Sequence, residues 1–185
     1  GTCDGVGYSW TLNVLTSMFA HGSWMHIIGN MLFLWIFGNN VEDALGRIRF
    51  LGFYLAAGVA ATGAQTAATL WFGTAEDSTI PNVGASGAIA GVLGAYLVLY
   101  PRARVRSLIF VFLVDVPAVA FLGIWFLFQL WHGGFGLFSP AADGGVAFFA
   151  HIGGFTFGML VAWFAFRRLW AFRPRSWRAA APGWP

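Results

Sequence analysis

Five long apolar runs, separated by shorter polar segments, dominate the hydropathy pattern of this chain. Each run approaches the roughly 20 residues that an α-helix needs to cross a bilayer. The fourth run is interrupted by Asp115-Val116-Pro117, so we expect residues 108–114 to be a shallow or interfacial piece and Pro117 to lie in the first turn of the helix. The pattern predicts an all-α, polytopic membrane helix bundle. The runs are residues 24–39, 50–72, 83–100, a stretch inside 108–131, and 146–166.

Arginine is confined to alternate connections between these runs. The chain has ten Arg residues and no Lys. The segments 73–82 and 132–145 contain no Arg. Because basic loops favour the cytoplasmic side of a membrane, we expect the Arg-bearing segments in the cytoplasm, the N-terminal segment outside and the C-terminal tail inside. Anionic lipid headgroups are the expected partners of these residues, and nucleic acid is not. The Arg residues are Arg47, Arg49, Arg102, Arg104, Arg106, Arg167, Arg168, Arg173, Arg175 and Arg178.

Composition agrees with a membrane protein. The chain is 58% hydrophobic and only 9% charged, with a mean hydropathy of +0.71, a balance that a water-soluble surface would not tolerate. Its single Cys3 excludes an internal disulfide or a thiolate metal cluster. Residues 1–8 show neither a signal peptide nor a starting Met, so we expect an upstream membrane helix to be absent from this chain. We therefore predict a membrane domain at 1–166 that lacks its first helix, and a basic, Trp-containing cytoplasmic tail at 167–185.

Three polar side chains are predicted to share one depth in the membrane. Ser86 and His151 each lie sixteen residues before the first Arg that follows their run. His26 lies sixteen residues before Glu42, in a third run that crosses in the same direction. At about 1.5 Å per helical residue, this places all three roughly 24 Å from the cytoplasmic flank. Polar side chains within hydrocarbon are functional hypotheses by default.

Together these side chains would suit acyl transfer. The reaction needs an activated hydroxyl, a base, and hydrogen-bond donors where an oxyanion forms, which Ser86 and His151, with His26 and Asn30, could supply. Asn30 follows His26 by four residues and so shares its helical face. The chain before Ser86 contains Pro81 and Gly84, so we expect a helix to begin at Ser86, with free backbone N–H groups that could hold an anion.

Structural alternatives exist for each residue taken alone. Ser86 could be a packing serine beside the small-residue pattern Gly87-xxx-Gly91, and His151 could be satisfied by a carbonyl. His26 and Asn30 could form hydrogen bonds between helices. Close packing of the third and fifth helices through their glycines would nevertheless bring Ser86 and His151 within hydrogen-bond reach. Metal ligation is disfavoured, because His21 and His26 have no intramembrane carboxylate beside them, and we expect no cofactor.

Four ordered segments resemble the motifs of one known family, the rhomboid intramembrane serine proteases, over about residues 15–166. The segments are Phe19-Ala20-His21-Gly22-Ser23-Trp24-Met25-His26-Ile27-Ile28-Gly29-Asn30, Val41-Glu42-Asp43-Ala44-Leu45-Gly46, Gly84-Ala85-Ser86-Gly87, and Ala150-His151-Ile152-Gly153-Gly154. The family fold has six core helices, of which this chain would hold five. One departure is Ala90, which stands one turn after Ser86, where some members carry an aromatic residue under the base histidine.

The resemblance implies a role for each residue. Ser86 would be the nucleophile and His151 its general base, in a dyad without an orienting carboxylate. His26, Asn30 and Gly84 would form the oxyanion hole, and Gly84 would also let the loop before Ser86 approach the substrate closely.

Function follows from that resemblance as an expectation. The chain would be a serine endopeptidase that cleaves transmembrane segments of other membrane proteins near the outer face, in a bacterial inner membrane. Substrates would enter between the first and fourth helices of this chain, with Trp125 and Phe128 as candidate gate side chains. A non-proteolytic rhomboid-like binder or chaperone of transmembrane helices is the alternative. A channel or transporter is disfavoured, because no carboxylate relay or pair of broken helices is present. The pattern does not indicate an oligomeric state.

Overall fold

A computed structural model describes residues 10–73, 84–136 and 147–166. The predicted tail at 167–185 lies outside the described residues. The elements, in chain order, are α1 (Trp10–Ser17), α2 (Trp24–Phe33), a π-helical turn (Leu34–Gly38), α3 (Asn39–Leu45), α4 (Arg47–Phe72), α5 (Ser86–Leu99), β1 (Arg104–Ile109), β2 (Phe112–Pro117), α6 (Ala118–Gly136), α7 (Phe148–Val161) and a second π-helical turn (Ala162–Phe166).

The helical prediction is confirmed. Five helical segments of the described chain correspond to the five apolar runs, and α2, the first π-helical turn and α3 follow one another without a break. Gly46, at a φ of 81°, then separates α3 from α4, a backbone conformation that glycine adopts most readily. By length and apolar composition, one helix of the described residues, Phe148–Phe166, qualifies as a membrane span, with a mean hydropathy of 1.5. Shorter apolar helices cover Ser86–Leu99 and Ala118–Gly134.

Residues 108–117 differ from the prediction. The shallow apolar piece is the outer part of an antiparallel hairpin, in which β1 pairs with β2 from Arg104 opposite Pro117 to Ile109 opposite Phe112. Pro117 ends β2, and α6 begins at Ala118, so its placement in the first helical turn was wrong. In a two-stranded sheet each strand is an edge, where a proline without an N–H is tolerated.

Helix α5 occupies the centre of the bundle. Its residues from Gly87 to Tyr96 are buried. Small residues bring α7 very close, because a methyl group added at Gly154 or Gly158 would collide with the carbonyl oxygen of Gly87 or Gly91. This confirms the predicted close packing of these two helices. Helix α4 packs on the same small-residue seam, since a methyl at Gly91 would lie 2.5 Å from the Cβ of Ala57.

Candidate active site

Ser86 and His151 are brought together at one end of the α5–α7 pair. Ser86 is the first residue of α5, as predicted, and His151 lies in the first turn of α7. The Ser86 Oγ and His151 Nε2 atoms are 2.9 Å apart, a hydrogen-bond distance. The hairpin follows the other end of α5, so the pair lies at the end of that helix opposite the Arg-bearing hairpin.

The start of α7 is held by a side chain from α4. The backbone N–H of Ala150, the residue before His151, donates to Gln65 Oε1 at 3.1 Å. The same N–H also reaches the Ala147 carbonyl at 3.1 Å, so Gln65 provides a second acceptor, from α4, at the turn that carries His151. Sequence analysis missed this contact, because a lone Gln inside an apolar run does not reveal its partner.

A second amide, on α6, contacts the ring nitrogen of His151 that does not face Ser86. Gln129 Oε1 lies 2.8 Å from His151 Nδ1, and the Gln129 side chain is buried at 4% exposure. An amide oxygen can only accept a hydrogen bond, so the tautomer that fits this contact has its hydrogen on His151 Nδ1. In that tautomer the lone pair on Nε2 faces the Ser86 hydroxyl. Sequence reasoning also missed Gln129, although a single amide in the apolar sequence of α6 was a visible signal.

His26, Asn30 and Gly84 form a neighbouring group. Helix α2 begins just before His26, because the Ser23 hydroxyl accepts a hydrogen bond from the His26 backbone N–H at 3.2 Å. A methyl group at Gly84 would lie 2.8 Å from His26 Nε2 and 3.8 Å from Asn30 Nδ2. The backbone N–H of Gly84 donates to the Ser17 carbonyl at 2.8 Å. Gly84 is therefore held between α1 and α2.

Asn30 has an unused donor. Its Nδ2 atom is buried and finds no hydrogen-bond partner among the described residues. Leaving a buried donor unpaired costs on the order of 1–3 kcal/mol, so a group that supplies an acceptor there would be bound favourably. The neighbouring His26 ring is contacted edge-on by His21, with centroids 5.2 Å apart.

The two gate candidates occupy different surroundings. Trp125 is half-buried, and its ring centroid lies 5.8 Å from that of His151 and 5.9 Å from that of Phe155. Phe128 is 52% exposed, and its ring centroid lies 4.1 Å from that of His132. Trp125 therefore contacts the site itself, whereas Phe128 lies on the outer surface of α6.

A small cavity adjoins Ser86. It has a volume of about 30 Å³ and is lined by residues of α1, α4, α5 and the start of α7, among them Ser17, Thr62, Gly84 and Ala150. That volume can hold a water molecule.

This geometry defines a helical membrane bundle with a hydrogen-bonded Ser–His pair, and comparison with known proteins identifies its family. The family model for the Rhomboid domain matches residues 8–168. The chain therefore belongs to the rhomboid family, as its motifs predicted.

Named relatives span several organisms. Rhomboid protein 1, mitochondrial, of Saccharomyces cerevisiae is 31% identical over 171 residues, which cover 91% of this chain and 46% of that protein. Presenilin-associated rhomboid-like protein A, mitochondrial, of Danio rerio is 34% identical over 110 residues, 60% of this chain and 26% of that protein. Rhomboid protease GluP of Bacillus subtilis is 44% identical over 91 residues, 49% of this chain and 16% of that protein. The chain thus spans less than half the length of each of these relatives.

The relatives correct the predicted location. We expected a bacterial inner membrane, but the yeast and Danio rerio relatives, and a human one that is 35% identical over 91 residues, are named mitochondrial proteins. The prediction was wrong, because alternating arginines report which loops share a side of a membrane and carry no information about which membrane it is.

Proposed function

We propose that this chain is the proteolytic part of an intramembrane serine endopeptidase that cleaves transmembrane segments of other membrane proteins. The observation that carries the proposal is the 2.9 Å contact between Ser86 Oγ and His151 Nε2. A hydroxyl activated by an adjacent base is the arrangement required for acyl transfer. The name of the Bacillus subtilis relative, a rhomboid protease, supports the same chemistry, and the mitochondrial relatives support a mitochondrial membrane as its location.

In the proposed reaction, His151 accepts a proton and passes it on twice, once in each half of the reaction. Ser86 Oγ forms a bond to the peptide carbonyl carbon while its proton passes to His151 Nε2, and the carbonyl oxygen takes the negative charge. When the tetrahedral intermediate collapses, the C–N bond breaks and His151 gives the proton to the leaving amine. Water then attacks the carbonyl carbon of the Ser86 ester and gives a proton to His151 Nε2. As the bond between that carbon and Ser86 Oγ breaks, His151 passes the proton to Oγ and the carboxylic acid product is released. The cavity beside Ser86 is a suitable place for that water.

Asn30 and His26 are the proposed donors to the oxyanion. The unpaired Asn30 Nδ2 supports this role, because a buried donor without an acceptor costs no reorganisation when negative charge appears. Gly84 lies against His26 and comes two residues before Ser86. His26 therefore packs against the chain that leads directly to the nucleophile. No metal enters the mechanism.

For substrate entry, we propose that a transmembrane segment reaches the site between α2 and α6. The exposed ring of Phe128 suits a gate on the outer surface of α6. Trp125 is the other gate candidate, and its contact with His151 also suits it to hold the ring of the base.

Labelling with a fluorophosphonate serine probe tests the nucleophile. The full-length protein in detergent is expected to be labelled, Ser86→Ala to lose labelling completely, and His151→Ala to be labelled far more slowly. Ser107→Ala is a matched control, because Ser107 lies in β1 and its hydroxyl contacts the Val105 carbonyl. Labelling that survives in Ser86→Ala would overturn the proposal.

Cleavage of a single-span membrane protein in proteoliposomes tests the reaction itself. Cutting within or beside the membrane segment, dependent on both Ser86 and His151, is expected. Binding of the segment without any cutting by the wild-type protein would instead favour the non-proteolytic alternative.

A further inference from the structure

The contacts around His151 point to a positioning role for α6. We propose that Gln129 and Trp125 hold the His151 ring in the orientation and tautomer that a general base for Ser86 requires. This inference rests on the proposed function for its consequence in catalysis. Its structural part, the tautomer of His151, stands without it.

The first argument is the cost of burying Gln129. An amide placed in an apolar environment is unfavourable unless it is hydrogen-bonded. Gln129 is 4% exposed in the apolar helix α6, and its Oε1 atom contacts His151 Nδ1 at 2.8 Å. Turning the ring over would remove that bond and leave a buried acceptor unpaired. The Gln129 side chain therefore resists rotation of the imidazole.

The second argument is the tautomer. A neutral imidazole has one nitrogen that donates and one that accepts. Because Gln129 Oε1 accepts from Nδ1, the Nε2 atom is left as the acceptor, 2.9 Å from the Ser86 hydroxyl. In the opposite tautomer Nε2 would carry a hydrogen and could not take the Ser86 proton. The role of Gln129 thus parallels the tautomer-fixing part of a triad carboxylate, without placing a negative charge in the membrane.

The third argument is aromatic packing. Trp125 lies four residues before Gln129, on the same face of α6. Its ring is tilted by 41° to that of His151 and also contacts Phe155, which lies one turn further along α7. Helix α5 offers only the Ala90 methyl one turn after Ser86. The aromatic support of the base therefore comes from α6.

Nuclear magnetic resonance of histidine nitrogens tests the tautomer without reference to activity. In the full-length protein labelled with ¹⁵N-histidine, the His151 signals are expected to show a protonated Nδ1 and an unprotonated Nε2. Comparison with His151→Gln assigns them. In Gln129→Leu the Nε2-protonated form should rise, whereas Gln129→Glu, which keeps an acceptor oxygen at the same reach, should restore the wild-type pattern. An unchanged tautomer in Gln129→Leu would overturn the proposal.

Kinetics test the consequence for catalysis. Gln129→Leu is expected to lower kcat about tenfold, the effect of one lost neutral hydrogen bond, with KM unchanged and activity partly rescued in Gln129→Glu. Trp125→Ala should lower kcat, and Trp125→Phe should retain most of it. Trp131→Ala is the matched control on the same helix, since Trp131 is 65% exposed.

The two possible failures are distinguishable. If the wild-type protein neither cleaves nor labels, the proposed function fails, and the nitrogen spectra still decide whether Gln129 sets the tautomer. If the wild-type protein is active and Gln129→Leu matches it in kcat, the positioning role alone is wrong.

Discussion

The His26 ring lies directly against the α-carbon of Gly84. A methyl group on that carbon would come within 2.7 Å of His26 Cε1 and 2.8 Å of Nε2. Gly84 also has a φ of 122°, a conformation that residues with a Cβ rarely adopt. Two independent constraints therefore require glycine two residues before Ser86.

Gly84→Ala is the first prediction that follows. The new methyl group would push His26 away and strain the backbone, which costs on the order of 1–3 kcal/mol. We expect cleavage to fall by about a hundredfold or more, a magnitude known for small misplacements of catalytic groups. Rates of cleavage and of probe labelling measure the effect.

Gly63→Ala is the matched control for this change. Gly63 lies within α4, and a methyl there would meet no other part of the described structure within 4 Å. Helix propensity favours Ala by up to about 1 kcal/mol, so activity should be unchanged and stability equal or higher. If both substitutions had the same effect on cleavage, the close approach of His26 and Gly84 would have no catalytic consequence.

Asn30→Ala tests the oxyanion donor. Removing a single such donor typically lowers kcat by about 10²–10³, and we expect a loss of that size with little change in KM. Asn40→Ala is the same substitution on α3, where the Asn40 amide donates to the Ile36 carbonyl at 3.1 Å. It should leave cleavage almost unchanged. Equal losses in the two variants would exclude an oxyanion role for Asn30.

Asp115 in the hairpin offers a prediction on pH. The hydrogen bond from Arg106, with Nε and Oδ1 3.0 Å apart, lowers the pKa of Asp115 below its ordinary value, and the charges of Arg106 and Arg104 act in the same direction. A carboxyl with a lowered folded-state pKa contributes stability above its unfolded pKa and loses it as pH falls through the folded value. The pair is exposed, so the effect on stability should be small and screened by salt.

An NMR titration of the Asp115 carboxyl carbon measures this pKa directly. It should lie below the ordinary range at low ionic strength and rise toward it in high salt or in Arg106→Gln. A titration at the ordinary value in all three conditions would mean that the ion pair does not persist in solution.

The sequence predicted those parts of the site that stand out as polar side chains in apolar runs. Ser86, His151, His26 and Asn30 were all visible in this way, because hydrocarbon makes each of them costly and therefore conspicuous. The closeness of α5 and α7 was also predictable from Gly87-xxx-Gly91, since small residues allow helices to approach.

Other features depend on three-dimensional contacts that periodicity does not encode. Gln129 is uncharged, and its partner His151 lies 22 residues away on another helix. The contact of Trp125, a candidate gate side chain, with His151 was not predicted, because an aromatic residue in an apolar helix gives no sign of which neighbour it touches. The hairpin was missed because a short apolar run of β-branched and aromatic residues cannot be distinguished by pattern alone from a helical segment.

Gly158→Ala provides a final prediction, which separates stability of the bundle from chemistry at the site. A methyl at Gly158 would collide with the backbone of Gly91, which cannot move aside as a flexible side chain would. Overpacking of this kind costs about 1–3 kcal/mol, and it would push α7 away from α5. We expect a lower thermal unfolding temperature in detergent together with slower probe labelling, because the same displacement lengthens the contact between Ser86 and His151. Gly52→Ala, where a methyl on α4 meets nothing within 4 Å in the described structure, should leave labelling unchanged and the unfolding temperature equal or higher. A destabilised Gly158→Ala protein with undiminished labelling would show that the site tolerates separation of the two helices.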